Sequence, residues 1–147
     1  MSRLKVATDG SADNPAWGAG GWAWVTNEGT HGWGNCPKTT HNRMELTALL
    51  KLLESYPDRP LRIQAEYYVI NIFTALLNGW RREGRRKAGG GPLANNDLIE
   101  KIDALLIGRE NIEWERVKAH TGHLLNESAD RLASYARLQG KLGHWRY

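Results

Sequence analysis

The sequence predicts a mixed α/β fold: a five-stranded sheet, with three antiparallel strands followed by strands parallel to the first, flanked by helices. Two observations carry this. Short alternating runs joined by turn residues fill the chain as far as Gly34, and from Thr39 onward segments with apolar residues at helical spacing alternate with short strand-like runs. The resulting order is three strands, helix, strand, helices, strand, helix. Later strands that join through helical crossovers lie parallel to the first.

Arg3 to Thr8 alternates as a strand, and Gly10-Ser11 and Asp13-Asn14-Pro15 follow as turn chemistry, so Asp9 is expected where the strand ends. Gly20 to Val25 and Gly29 to Gly34 read as two strands around an Asn27-Glu28-Gly29 turn, with Trp22, Trp24 and Val25 available for packing. Thr39-Thr40-His41-Asn42 starts a helix that carries Leu46, Leu49, Leu50 and Leu53 and stops at Pro57, with Glu45 in its first turns. Leu61 to Ala65 is a short strand, and Val69 to Trp80 a helix with Ile70, Phe73 and Leu77 on one side. From Trp80 to Lys87 the chain is dense in cations, and Gly89-Gly90-Gly91-Pro92 cannot continue a helix, which predicts an exposed basic protrusion at about 80–95. Asn95-Asn96-Asp97 caps a helix through Leu98, Ile102, Leu105 and Leu106 that Gly108 closes. A strand from Ile112 to Val117 and a helix from Glu127 to Leu138 complete the order.

At 147 residues the chain is expected to form one domain, 1–147, and its 41% hydrophobic and 24% charged content is that of a globular protein. Twenty Lys and Arg against sixteen Asp and Glu leave a formal charge of +4, a weak pointer to an anionic partner. With Cys36 the sole cysteine, no internal disulfide can form. The amino terminus lacks the plan of an export signal, and no apolar run reaches membrane-spanning length. The expectation is a cytoplasmic protein, a monomer, with no membrane partner.

The chemistry lies in acids distant along the chain. Asp9 stands at the end of the first strand, Glu45 early in the first long helix, Glu66 after the fourth strand and Asp130 early in the last helix. In such sheets sites gather beyond the carboxyl ends of the strands, so all four can converge. Taken singly, Glu45 also suits a helix dipole and Asp130 a solvated helix face. Packed together, such acids repel one another and resist ionisation unless a cation holds them. An all-oxygen set suits magnesium; zinc would need Cys and His at short spacings, and His120 and His123 lie far in sequence from Cys36. Two magnesium ions about 3.5–4 Å apart suit phosphodiester hydrolysis.

The motifs resemble those of the type 1 ribonucleases H over nearly the whole chain. Thr8-Asp9-Gly10-Ser11 with Asn14-Pro15 is similar to the family's opening motif, and Asn42-Arg43-Met44-Glu45-Leu46 to its second. Val117 to His123 with Asn126-Glu127-Ser128-Ala129-Asp130 resembles its closing pair, and the segment from Trp80 to Lys87 its basic protrusion. The resemblance implies the ribonuclease H-like fold and a magnesium-dependent endonuclease for the RNA strand of RNA–DNA hybrids, with manganese a possible substitute. It implies that Asp9, Glu45 and Asp130 bind metal, and that His120 assists proton transfer or product release at an imidazole pKa suited to the task; His123 is read as structural. It further suggests that Asn14, Asn42 and Glu45 read the 2′-hydroxyl that distinguishes RNA from DNA, and that Thr40 holds a DNA-strand phosphate. Arg81, Arg82, Arg85, Arg86 and Lys87 would contact the nucleic-acid backbone without sequence preference. Trp80 either packs at the base of the protrusion or lines the groove.

In one place the chain departs from the family's pattern, which has an Asp followed by Ser after the fourth strand and a Tyr-Val pair further on. Here the segment is Gln64-Ala65-Glu66-Tyr67-Tyr68-Val69. Matching from the strand side puts Glu66 in the acid's place; matching back from Tyr68-Val69 puts Ala65 there and leaves three carboxylates. Glu66 is preferred, because Leu61 and Ile63 then keep the strand's alternation and the site keeps its fourth charge. The alternative function is a hybrid-binding protein of the same fold in which cleavage is weakened or lost. A second rival is a related nuclease acting on DNA.

Overall fold

A computed structural model describes residues 3–13, 17–82, 94–117 and 123–147, with the side chains of Arg81 and Arg82 outside that description. The elements in chain order are β1 (Leu4–Ala12), β2 (Gly18–Thr26), β3 (His31–Thr39), α1 (His41–Ser55), β4 (Leu61–Ala65), α2 (Tyr67–Asn71), a π-helical turn (Ile72–Leu76), α3 (Leu77–Arg82), α4 (Asn96–Leu106), β5 (Ile112–Arg116) and α5 (Leu124–Lys141). The strands form one sheet in the order β3-β2-β1-β4-β5. The pairs β1/β2 and β2/β3 are antiparallel, and β1/β4 and β4/β5 are parallel. This is the mixed five-stranded sheet the sequence predicts.

Several boundaries differ, each for a physical reason. β1 does not end at Thr8: β2 continues to pair with it from Asp9↔Ala23 to Ala12↔Gly20, so Gly10 and Ser11 are strand residues rather than a turn. β3 runs past Gly34 and through Pro37. As the sheet's edge strand it tolerates a residue with no N–H to give. Asn95 does not cap α4 with its side chain; it adopts φ 61° and gives its amide to other partners, Oδ1 accepting from Arg43 and Nδ2 donating to the Tyr68 hydroxyl. The helix expected from Val69 begins at Tyr67 and passes through the π-helical turn on its way to Arg82. α5 starts three residues before Glu127 and runs on to Lys141.

The two faces of the sheet are covered differently. On one face Leu4 and Val6 of β1, Trp22 and Trp24 of β2, and Leu61 and Ile63 of β4 pack in one cluster with Leu46, Leu49, Leu50 and Leu53 of α1 and with Ile99 and Ile102 of α4. These leucines are the four whose helical spacing predicts a buried stripe. On the other face a smaller cluster joins Ala7 and Val25 to Ala129 of α5. The buried residues of α5 are small, chiefly Ala129, Ala133, Ala136 and Gly140, so this helix lies close against the strands.

Adjacent glycines of β2 show how tightly both faces are closed, since neighbouring strand residues face opposite ways. A Cβ on Gly20 would meet Thr39 and Met44, whereas one on Gly21 would stand 2.4 Å from the Ala133 carbonyl oxygen and 2.5 Å from the Arg137 nitrogen of α5. The Arg137 guanidinium also donates to Ser11 Oγ at 2.9 Å and pairs with Asp13, to which Lys141 adds a 3.0 Å ion pair. These contacts tie the far end of β1 to α5. Among the described residues no helix is long and apolar enough to cross a membrane.

Because the atoms facing Gly21 are helix backbone and cannot swing aside, Gly21→Ala is expected to force α5 outward. The expected cost is about 1–3 kcal/mol, read as a lowered denaturation midpoint in urea with little change in slope.

Candidate active site

The last parallel pair between β1 and β4 is Ala7↔Gln64, while β1 remains paired to β2 as far as Ala12. Asp9 therefore projects past the point where β4 leaves β1, into the crevice at the carboxyl end of a parallel strand. β4 ends at Ala65, and Glu66 follows in an extended conformation, φ −68° and ψ 155°, at the start of α2. α1 is set by the Thr40 hydroxyl, which accepts from the Arg43 N–H at 3.2 Å and satisfies one of the helix's free donors. That start carries Glu45 beneath Gly10, where its side chain is wholly buried.

Gly10 is what permits this approach. A Cβ there would lie 2.4 Å from the Glu45 nitrogen. Its N–H is shared between two carboxylates, donating to Asp9 Oδ1 at 2.9 Å and to Glu45 Oε1 at 3.0 Å. The other oxygen of Glu45, Oε2, is buried and has no hydrogen-bond partner among the described residues.

The electrostatics follow from this crowding. Burial raises the Asp9 carboxyl to about 7; contact with Glu45 opposes the rise, and contact with Asp130 and the charges of Asp130 and Glu66 add to it. Glu45 is pushed well above the usual carboxylate range, first by burial and then by Asp9 and Glu66, with the Gly10 N–H working the other way. Asp130, half-buried on α5, is near enough to Asp9 to raise its carboxyl. Asp9, Glu45, Glu66 and Asp130 thus meet in one electrostatic neighbourhood.

Of the two residues competing for the third acidic position, Ala65 is fully buried within the main hydrophobic cluster. Glu66 carries a half-buried carboxylate whose Oε2 lies 3.5 Å from His41 Nε2. His41 is a site neighbour that the sequence motifs do not single out. Its Nε2 is also 3.3 Å from Glu45 Oε1, and hydrogen bonding to Glu66 raises its pKa against the opposing effect of burial. The signal is present in the spacing: residues 41 and 45 are one turn apart on the helix that Thr40 starts.

The other predicted residues fall as follows. Thr40 is the half-buried helix cap, with its own O–H proton free of that acceptor role, and Asn42 is exposed on the first turn. Arg43 makes a two-pronged ion pair with Asp97, at 3.0 and 2.8 Å, and so joins α1 to the start of α4. Trp80 is half-buried and packs against the main core. His123 is exposed, immediately before α5, and makes no capping bond with its side chain. Asn14, His120, Arg85, Arg86 and Lys87 lie outside the described residues, as do the side chains of Arg81 and Arg82.

Comparison with known proteins bears on this arrangement. The sequence profile of the RNase H family matches residues 1–137. A ribonuclease H of Tropheryma whipplei (strain Twist) is 45% identical over 139 residues, covering 92% of this chain and 84% of its own. One from Halorhodospira halophila is 41% identical, covering 89% and 90% respectively. Among solved structures, LC9-RNase H1, described as a type 1 RNase H with the type 2 active-site motif, superposes with a TM-score of 0.76 at 22% identity, over 93% of this chain and 74% of that one. A foamy viral protease-reverse transcriptase in complex with an RNA/DNA hybrid gives the same score, 0.76, at 19% identity, over 91% of this chain and 20% of its own. The structural likenesses concern the fold.

The raised carboxyls predict an unusual pH dependence. Between the ordinary Asp value of 3.8 and about 7 the folded protein holds a proton on Asp9 that the unfolded chain has released. The stability from this group is full below the lower value and is lost as pH rises through the upper one. The metal-free protein is therefore expected to lose thermal stability between about pH 4 and about pH 7. Millimolar divalent cation should restore it at the upper end, and Asp9→Asn should flatten the profile, as scanning calorimetry would show.

Proposed function

The chain belongs to the ribonuclease H family, and on that premise we propose that it is an endonuclease that hydrolyses the RNA strand of RNA–DNA hybrids with divalent cations, magnesium foremost. The observation that supports the reading best is the Asp9–Glu45 pair: two buried carboxylates sharing one N–H, with Glu45 Oε2 left without a hydrogen-bond partner among the described residues. An oxygen-rich, mutually repelling group of this kind fits a hard divalent cation. Asp9, Glu45, Glu66 and Asp130 would hold the two ions, with Mn2+ a possible substitute. When bound, such ions supply Lewis acidity at the phosphate and water of lowered pKa, in the two-metal manner.

The chain's own residues do the rest. Asp9 and Glu45 are held by the Gly10 N–H, so their oxygens are oriented before any ligand arrives. Glu66 takes the third acidic position in preference to Ala65, which is closed inside the core. His120 moves a proton at the leaving oxygen or helps release product, leaving a 5′-phosphate and a 3′-hydroxyl. Asn14, Asn42 and Glu45 read the 2′-hydroxyl. The Thr40 hydroxyl, while accepting from Arg43 N–H, retains its proton to donate to a DNA-strand phosphate. Arg81, Arg82, Arg85, Arg86 and Lys87 attract the polyanion, with Trp80 anchoring the base of that segment. We place the protein in the cytoplasm, as a single-domain monomer.

Labelled hybrid, duplex DNA and duplex RNA incubated with Mg2+ or Mn2+ test the proposal: only the RNA of the hybrid should be cut. Hybrid binding without cleavage in either metal would mark a non-catalytic hybrid-binding protein. Asp9→Asn is expected to abolish cleavage while leaving hybrid binding and circular dichroism largely intact; retained cleavage would remove Asp9 from the site. Changing Arg85, Arg86 and Lys87 together to Ala should flatten the dependence of log affinity on log salt by about 0.9 for each phosphate that is no longer neutralised. An unchanged slope would leave those cations without a binding role.

A further inference from the structure

The position of His41 bears on which cation the centre takes, and the inference rests on the metal-dependent reading above. His41 is the first residue of α1 and Glu45 lies one turn on, so the two side chains share a helix face, while Glu66 approaches from the end of β4. Nε2 of His41 is 3.3 Å from Glu45 Oε1 and 3.5 Å from Glu66 Oε2. Both separations are longer than the about 2.7–2.9 Å of a charge-assisted hydrogen bond. They also fit the edges of a coordination polyhedron: bonds of about 2.0–2.2 Å to one ion put neighbouring donors about 3.0 Å apart in octahedral geometry and about 3.4 Å in tetrahedral. One atom from each of His41, Glu45 and Glu66 lies within 4.8 Å of the others.

A second observation points the same way. Glu45 is wholly buried, and among the described residues its Oε2 has no hydrogen-bond partner, while Oε1 accepts from Gly10 and faces His41. A buried carboxylate oxygen without a donor is costly unless a ligand completes it. From this geometry we infer that His41 is a nitrogen ligand to one of the divalent cations, alongside Glu45 and Glu66. A mixed nitrogen and oxygen donor set shifts preference from magnesium towards manganese and its first-row neighbours, because magnesium takes oxygen donors whereas imidazole suits transition metals.

Pulsed electron paramagnetic resonance of the full chain loaded with Mn2+ tests this directly. The wild type should show the 14N modulation of a directly bound imidazole, and His41→Asn and His41→Gln should lose it while still binding Mn2+. Calorimetric titration should find Mn2+ binding weakened about tenfold or more in both variants, with Mg2+ binding changed far less. Absence of 14N coupling in the Mn2+-loaded wild type would overturn the assignment without recourse to any variant. Coupling retained in a folded variant would overturn it too, by assigning the nitrogen to another histidine. The two readings fail separately: hybrid cleavage without nitrogen coupling removes only His41 from the coordination shell. Nitrogen coupling in a protein that cuts no hybrid removes the nuclease activity and leaves His41 as a ligand.

Discussion

The fold turns on the burial of one carboxylate. Glu45 lies wholly within the protein, against a second acid, with a single backbone N–H shared between them. Removing a charge from water is costly unless it is paired or neutralised. Beyond burial, the charges that most raise its pKa are those of Asp9 and Glu66. Burial and the neighbouring charges favour the protonated acid, and in the metal-dependent reading proposed above a cation would relieve the same difficulty. On that reading, stability without metal and affinity for metal would be set by one arrangement and pull in opposite directions.

The scaffold's departures from regularity serve that arrangement. β1 outlasts its parallel partner, so Asp9 stands on backbone held by β2 but open on the β4 side. Gly10 brings α1 close enough for Glu45 to reach the strand, and Gly21 does the same for α5 on the opposite face, from which Asp130 approaches. The Arg137 and Lys141 pairing with Asp13 fixes α5 to the end of the strand that carries Asp9. The acids are thus positioned in part by contacts among other residues of the scaffold.

The sheet's strand types, the buried leucine stripe of α1 and the acids are legible in the sequence because each rests on a local pattern. Leu61–Ala65 is legible to its final bounds for that reason. What is not legible depends on partners distant in the chain. The Gly10-Ser11 pair has turn composition, yet β2 pairs with it as strand; Pro37 suggests an end, yet the sheet edge accommodates it. Asn95 has the character of a helix cap, but Arg43 and Tyr68 hold its side chain. His41 belongs to the same class: one turn from Glu45, it also depends on Glu66, and only the folded chain brings that residue alongside.

The altered third position and His41 are best understood together. The resemblance leads one to expect an Asp where β4 ends, and the chain has Ala65 followed by Glu66. Ala65 faces into the core beside Leu61 and Ile63, a place where an unpaired carboxylate would carry a heavy desolvation cost. One residue later the backbone has left the ladder, and the extra methylene of Glu lets the carboxylate return towards the cluster. On that path it meets His41, whose imidazole bridges it to Glu45 at 3.5 and 3.3 Å. The position where the sequence leaves the family's pattern is therefore the partner of the histidine that pattern did not bring to notice. A longer acid is less firmly placed than a shorter one, since it has another torsion to fix. An imidazole anchored on the first turn of α1 restrains it, so the two residues act as a unit and the effect of changing one depends on the other.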